Sequence, residues 1–519
     1  MNAVARPSAG RIFIIFSVMS ATLMQVLDTT IVNVALPHMQ GQLNANSDQI
    51  SWVLTSYLVS SAIFMPLTGY FADTLGHKRL LLLCIGGFVV ASALCGIAQN
   101  VTEIVGFRLL QGVFGAGLSP LSQAIMSDAY PPEERGKAMA IWGMGVMVGP
   151  VLGPTLGGWL TDVASWRWAF YINVPVGILS LVLAARFVPD TARKTRRMDW
   201  PGLLYLACGV AGVQYVFDRG TQQDWFAATD IRVAAVLGII GILAFVEHSL
   251  RLGTKAIFDV RIFSDWNFLT ACLIIMALGV GMYGSMVLQP ILLESLLGYP
   301  IMTTGIVMAP RGVFSAISMF LAGRLVGKVD ARVLVSGGML CGAFGSWAMS
   351  WYSLEIDTWW LIWPACVQGM GLGFMFVPLS TIAYATLARS RMAEAAGIYS
   401  LLRTLGSALG ISIVTSVLSH QRQVLWNELG AHITPFNPAV SRYLGPLHLT
   451  TADPSAMALI AQQVGQQAQI GAIIDVFMLT TVSFVVMLPL VMLLRSSRHS
   501  APPLDAKAPA DPQFATAAH

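Results

Sequence analysis

Asp28 is the single charge in an apolar run that reaches from Ile12 to Leu36. An ionised side chain in such a setting costs a few kcal/mol or more, so it must face a cavity or a partner rather than hydrocarbon. Desolvation favours the neutral form of a carboxylic acid, which makes Asp28 the first candidate for binding and releasing a proton. A permanently ion-paired structural carboxylate is the alternative. Gln25 lies three residues earlier on the same helix face, while Asn33 falls about 140° round the helix, so the three need not form one site. Arg108 precedes Gln111 by three residues and shares its face. A guanidinium keeps its proton, so Arg108 would act as a fixed charge favouring the ionised state of a nearby carboxylate, whose identity the sequence does not show. Asp28 and Arg108 are therefore the candidate proton-coupling residues, and Gln25, Asn33, Gln111 and Arg403 the candidate substrate-pathway residues. For Arg403, and for Arg311, simple packing is an equal reading. Glu247 and Glu294 sit near the ends of apolar runs and read as interfacial.

The elements that position these residues must be membrane spans. Of 519 residues 55% are hydrophobic and 11% charged, against about 25% charged in an ordinary soluble domain. Such a chain has too little polar surface for water. The net charge of +4 is slight and no basic cluster points to nucleic acid. The six cysteines (Cys84, Cys95, Cys208, Cys272, Cys341, Cys366) all lie in apolar runs without ligand spacing. They read as small buried hydrophobes, with neither a disulfide framework nor a metal site expected. No span clusters His, Cys or carboxylates and no nucleotide-binding loop is present, so a membrane-embedded enzyme is disfavoured and no cofactor is expected beyond a proton gradient. Arg6 and Arg11 before the first apolar run superficially suggest a signal peptide, but no small-residue cleavage site follows, so this run reads as a first span that stays.

Hydrophobic runs set against turn residues predict helices at about 12–36, 50–72, 80–99, 102–126, 138–161, 168–188, 201–218, 231–251, 267–293, 301–323, 333–352, 359–387, 395–419 and 473–494. With both termini cytoplasmic, 22 of the 30 Lys and Arg fall on that side, as the positive-inside rule requires of an even count. The expectation is a multi-pass protein of a bacterial inner membrane with both ends inside. Residues 420–472 read as a long periplasmic loop with Pro435-Phe436-Asn437-Pro438 and a Gln-rich stretch, a length that calls for a reason. The segment 495–519, rich in Pro and Ala, reads as a disordered tail.

An internal repeat organises the spans. Gln111-Gly112 and Pro120-Leu121-Ser122 recur as Gln368-Gly369 and Pro378-Leu379-Ser380, and Ile141-Trp142, Gly149 and Leu152-Gly153 recur as Ile398-Tyr399, Gly406 and Leu409-Gly410. Two six-helix halves, 1–199 and 256–494, joined by two additional helices in 200–255, explain both the period and a total of fourteen. The expected fold is all-α and integral to the membrane, in the manner of a major-facilitator transporter with its site between the halves.

Two motifs sharpen this. Gly69-Tyr-Phe-Ala-Asp73-Thr-Leu-Gly76-His-Lys78-Arg79 falls on the short turn after the second span and resembles the major-facilitator signature loop, whose glycines, Asp73 and Arg79 would latch the halves. Thr74 and His77 depart from the usual basic residues and imply a weaker latch. Gly143-Met-Gly145-Val-Met-Val-Gly149-Pro150-Val-Leu-Gly153-Pro154-Thr-Leu-Gly157-Gly158 combines glycines four apart, which admit a second helix, with prolines that loosen the backbone. It resembles the fifth-helix antiporter motif of drug:proton exchangers.

Leu27-Asp28-Thr29-Thr30 through Pro37 and Trp166-Arg167-Trp168 through Asn173-Val174-Pro175 resemble the signature of the fourteen-span drug:proton antiporters, EmrB/QacA type, and the long outer loop together with Asp218-Arg219-Gly220 narrows this to EmrB-type inner-membrane pumps. The resemblance covers nearly the whole chain. It implies multidrug efflux of amphipathic small molecules, a periplasmic membrane-fusion adaptor and an outer-membrane channel as partners, and a supporting role in proton transfer for Arg108. A dedicated exporter of one metabolite, such as a fatty acid or siderophore, is the alternative on the same fold.

Overall fold

The computed structural model describes residues 8–495 apart from 132–133, 192, 194–196, 389–390, 435, 448 and 450–452. The tail expected beyond Arg495 lies outside the described residues, as do Pro435 and the side chains of Pro150 and Pro154. Eighteen helices account for the described chain: α1 (Ser8–Gln42), α2 (Ser47–Phe64), α3 (Thr68–Leu75), α4 (His77–Ile97), α5 (Val101–Gly115), α6 (Leu118–Ala129), α7 (Arg135–Val163), α8 (Trp168–Tyr171), α9 (Asn173–Phe187), α10 (Trp200–Arg219), α11 (Thr229–Leu252), α12 (Trp266–Pro290), α13 (Ile301–Leu325), α14 (Ala331–Met349), α15 (Thr358–Ala385), α16 (Met392–Ala431), α17 (Pro438–Leu444) and α18 (Pro454–Met492). All fourteen expected spans coincide with helices from this set. Among the described residues eleven segments are long and apolar enough to cross a bilayer, and α7, α12 and α14 lie at the other three expected positions.

Local chemistry sets the helix ends. Asn46 caps α2 in a reciprocal box with Gln49, at 2.7 and 3.1 Å. Asn100, Asp199, Asp265, Asp330 and Asp357 cap α5, α10, α12, α14 and α15 through their side chains. Gly76 joins α3 to α4 at φ +84°, a left-handed region that glycine enters without a Cβ penalty, and this sets the tight turn of the signature loop.

Two bundles form around these spans. In the first, α1 packs on α7, α9 and α6, and α5 on α2 and α4; in the second, α12 packs on α16 and α18, and α15 on α13 and α14. The seam between them runs through α7 against α13, with α16 meeting α6 and α3. The pair α10–α11 is joined glycine to glycine, Gly209 and Gly212 against Gly241 and Gly238, and α10 touches both α2 and α16. Helix α11 turns Val236, Leu237, Ile240 and Leu243 outward. Such an apolar exterior is stable against lipid rather than water.

Three expectations change. The stretch 420–472 is mainly helical: α16 continues to Ala431 and α18 begins at Pro454 rather than near 473. At 1.5 Å per residue, helices of 40 and 39 residues are about 60 Å long, twice the hydrocarbon thickness, so the pair must project as a hairpin. Gln421 donates to Asp475 at 2.8 Å, and Gly465 leaves room for Trp426. Ala and Gln are strong helix formers, which is why a polar stretch that reads as loop stays helical. Next, Cys208 is exposed on α10, whereas Cys84, Cys95, Cys272 and Cys366 are buried as expected. Finally, Arg219, just past the expected 201–218 span, is not in a loop but ends α10, buried against α2, where it donates to Ser51 and lies over the Trp52 ring.

Candidate transport site

Inside the first bundle the Asp28 carboxylate is fully buried and accepts from three side chains. Arg108 Nη1 donates to Oδ2 at 2.5 Å, while Gln111 Nε2 and Asn173 Nδ2 donate to Oδ1 at 2.9 Å each. Arg108, equally buried, also donates from Nε to the Val53 carbonyl at 3.0 Å and from Nη1 to Gln111 Oε1 at 2.7 Å, and its guanidinium lies 4.2 Å from the Tyr57 ring centre. Asn173 reaches on to Ser92, which donates to the Phe170 carbonyl. Helices α1, α2, α4, α5 and α9 thus converge on one carboxylate. Two charged and two amide side chains bond one another in the bundle interior, with Arg108 Nη2 left buried without a partner, and the ion pair is neutral as a whole.

Arg108 and Gln111 share a face as expected, and the partner of Arg108 is Asp28. Asn173 and Ser92 complete the site. The sequence placed Asn173 in a motif without a role, because contact between residues 145 apart leaves no local periodicity. Gln25 is half-buried one turn before Asp28, with its carbonyl oxygen unpartnered. Asn33 is exposed and bonds to the Thr29 carbonyl of its own helix, away from the carboxylate.

The glycine stripe of α7 lies along the helix that carries Asp28. A Cβ on Gly145, Gly149 or Gly153 would strike Met19, Val26 or Thr30 of α1, and one on Gly157 would come within 3.1 Å of the Ile31 Cα. Gly158 is buried on the same helix. The other side of α7 faces the second bundle: Gly136 meets Val326, Gly143 meets Met319, and Thr155 meets Gly305 of α13. One helix therefore touches both the Asp28 helix and the opposite half.

Arg403 stands at the seam. It donates to Ser119 of α6 at 3.2 Å and lies 5.7 and 5.8 Å from the ring centres of Trp142 and Phe376, which stack on each other across the two bundles. Tyr384 donates to Gln123 across the same seam at 2.7 Å. Nearer the face where α1 begins, a Cβ on Gly69 would fall 2.6 Å from the Glu394 Cα, so the signature loop presses directly on α16. Asp73 is half-buried, Arg79 exposed, and Gly76 packs against Thr191, whose hydroxyl accepts from the His77 amide at 2.8 Å.

A bundle pair with a seam of this kind has a match in sequence: residues 18–411 fit the Major Facilitator Superfamily. The chain belongs to that superfamily. Within it the chain is of the EmrB type: it is 34% identical to the multidrug export protein EmrB of Escherichia coli K12, over 91% of this chain and 93% of that protein. It is 35% identical to the fatty acid resistance protein FarB of Neisseria gonorrhoeae, over 92% of this chain and 95% of that one. Among solved folds, the superfamily's proton:xylose symporter XylE superposes with a TM-score of 0.60 at 16% identity, over 95% and 97% of the two chains. As a major facilitator the protein is a multi-pass membrane transporter rather than an enzyme.

Proposed function

We propose that the chain is a proton-coupled multidrug exporter of the inner membrane, which moves amphipathic and hydrophobic small molecules outward as protons move inward. The observation that carries this reading is the fully buried Asp28–Arg108 pair on a helix in contact, through the α7 glycine stripe, with the opposite half. When Asp28 takes up a proton, its attraction for Arg108 falls, and the packing of α1 on α5 is no longer held by an ion pair. Because α7 lies between α1 and α13, a shift of α1 reaches the seam, where Arg403, Trp142 and Phe376 offer a charge and two aromatic faces to a bound drug. Rocking of the halves about that seam then exposes drug and proton to opposite sides in turn.

The energetics are sufficient. A proton falling through roughly 150 mV supplies about 3.5 kcal/mol, which sustains a gradient of roughly a few hundred for a neutral solute. The excess of Lys and Arg on the face where the chain begins and α18 finishes supports cytoplasmic termini, and the α16–α18 hairpin then projects into the periplasm. There, the exposed Trp426, Phe436 and Tyr443 fit contact with a periplasmic adaptor, in a three-part assembly completed by an outer-membrane channel.

The decisive experiment is drug-dependent proton movement in inverted membrane vesicles, comparing wild type with Asp28→Asn. The variant is expected to lose drug-dependent proton release. Undiminished coupling in the variant would remove Asp28 from the mechanism, and no proton movement in wild type would end the antiport reading.

A further inference from the structure

The second bundle repeats the architecture of the Asp28 site with a different charge. Gln368, which follows Gln111 at the repeat offset, donates from Nε2 to the hydroxyls of Ser285 at 2.9 Å and Ser346 at 2.8 Å. At that same offset Ser285 stands in the place of Asp28 and Ala365 in the place of Arg108. The glycines following the two glutamines also make similar contacts. A Cβ on Gly112 would meet the Tyr57 carbonyl and the Ser60 hydroxyl, and one on Gly369 would meet the Arg311 carbonyl and the Ser315 hydroxyl. Arg311 thus lies against Gly369 by its carbonyl as Tyr57, the residue whose ring covers Arg108, lies against Gly112. The second bundle keeps a buried cation, moved from α15 to α13, and carries a hydroxyl where the first bundle has its carboxylate.

Arg311 is only 7% exposed. Its Nη1 donates to Gln289 Oε1 at 3.1 Å, its Nη2 is buried without a partner, and no carboxylate among the described residues pairs with it. Gln289, the acceptor for Arg311, and Tyr352 line a narrow recess with room for about one water molecule, whose remaining wall is apolar: Leu292, Leu293, Val307, Met308 and Leu361. A guanidinium cannot shed its proton to escape burial, and its planar fork matches a carboxylate in a bidentate pair. A cationic head would be repelled from the same place.

We propose that Arg311 is an anion subsite of the exporter, which receives the carboxylate head of an amphiphile. This rests on the export reading above. Arg311 Nη2 donates to the carboxylate, Gln289 holds the guanidinium in position through Nη1, and Asp28 in the other bundle remains available for the proton.

The test uses the full-length protein in phosphatidylcholine proteoliposomes with an imposed proton gradient, and two probes with the same tail and opposite charge, dodecanoate and dodecyltrimethylammonium. Arg311→Gln is expected to lower the ratio of dodecanoate to dodecyltrimethylammonium transport by roughly tenfold or more, the range for one charge-assisted hydrogen-bonded contact. Arg311→Lys, which keeps the charge and loses the fork, should retain most of the ratio. Gln289→Glu leaves Arg311 in place and gives it an internal carboxylate, so it should lower the ratio as Arg311→Gln does while thermal stability holds or rises. An unchanged ratio in both Arg311→Gln and Gln289→Glu overturns the proposal, as does an equal loss of both probes, which marks a purely structural arginine. Loss of dodecanoate transport on adding phosphatidylglycerol to the bilayer would assign the guanidinium to a lipid headgroup and overturn it as well. Wild type that moves only the cation sinks this proposal alone, whereas wild type that moves neither sinks the export reading beneath it.

Discussion

At the scale of single residues, function concentrates on a carboxylate and a guanidinium that are each costly to bury and together tolerable. Removing one partner leaves the other as an uncompensated charge, at a cost of about 3–5 kcal/mol, while replacing both leaves no charge at all. Arg108→Ala is therefore expected to lower the thermal unfolding midpoint of the purified protein clearly, and the Asp28→Asn, Arg108→Gln double variant to recover most of that loss. The double variant should still fail in proton coupling. Recovery of coupling along with stability would show that the pair is structural, the alternative left open by the sequence. Part of this site was legible beforehand: Asp28 as a charge in an apolar run, Arg108 and Gln111 as one helix face. Asn173, Ser92 and Tyr57 were not, because their part depends on which helices meet, and a polar residue in an apolar run carries no mark of its partner. Asn33 shows the converse, since a polar side chain in the right span is satisfied by its own helix at Thr29.

At the scale of elements, α7 couples site and seam. Its glycines bring α1 close enough that any side chain there would collide with Met19, Val26 or Thr30. Gly153→Val is expected to force α1 and α7 apart, and transport in vesicles should fall much further than it does in Gly106→Ala, where a Cβ meets nothing within 4 Å. Equal activity in the two variants would show that close approach at α7 is dispensable. The spacing of these glycines was visible in the sequence as a seam, but the identity of the helix in the seam was not. Elsewhere the elements departed from the reading in one informative way. The 420–472 segment lost its hydrophobicity and so read as loop, yet it kept the helix-forming Ala and Gln that carry α16 and α18 beyond the bilayer. Hydropathy reports the solvent of a segment, and helix propensity reports its backbone.

At the scale of the whole molecule, the halves meet toward the face where the chain begins through Gly69 on Glu394, Gly136 on Val326 and Gly397 on the Met65 carbonyl. Alternating access requires these contacts to open. A Cβ on Gly136 would lie 3.0 Å from the Val326 Cβ, so a slight parting of the two segments brings the pair to the roughly 3.5–4.5 Å that a disulfide spans. In a background without the native cysteines, Gly136→Cys with Val326→Cys should stop transport on oxidation and regain it on reduction. Transport that continues with the cross-link formed would mean that the halves do not part there. The pair α10–α11 shows a second aspect of scale: it belongs to neither repeat, yet α10 holds α2 through Asp218 and Arg219, and the turn after it reaches α16 through Thr221 and Trp225.

By itself, the sequence determined the solvent, the order of the helices and the family. These are properties of local composition and spacing, because each span must satisfy its own backbone in lipid before it meets any other. Only the tertiary structure decided that Asp28 pairs with Arg108, that the α7 glycines lie on the Asp28 helix, and that Arg311 has no carboxylate partner among the described residues. Those facts depend on contacts between residues far apart in the chain, and a buried charge is defined by its partner as much as by its own position.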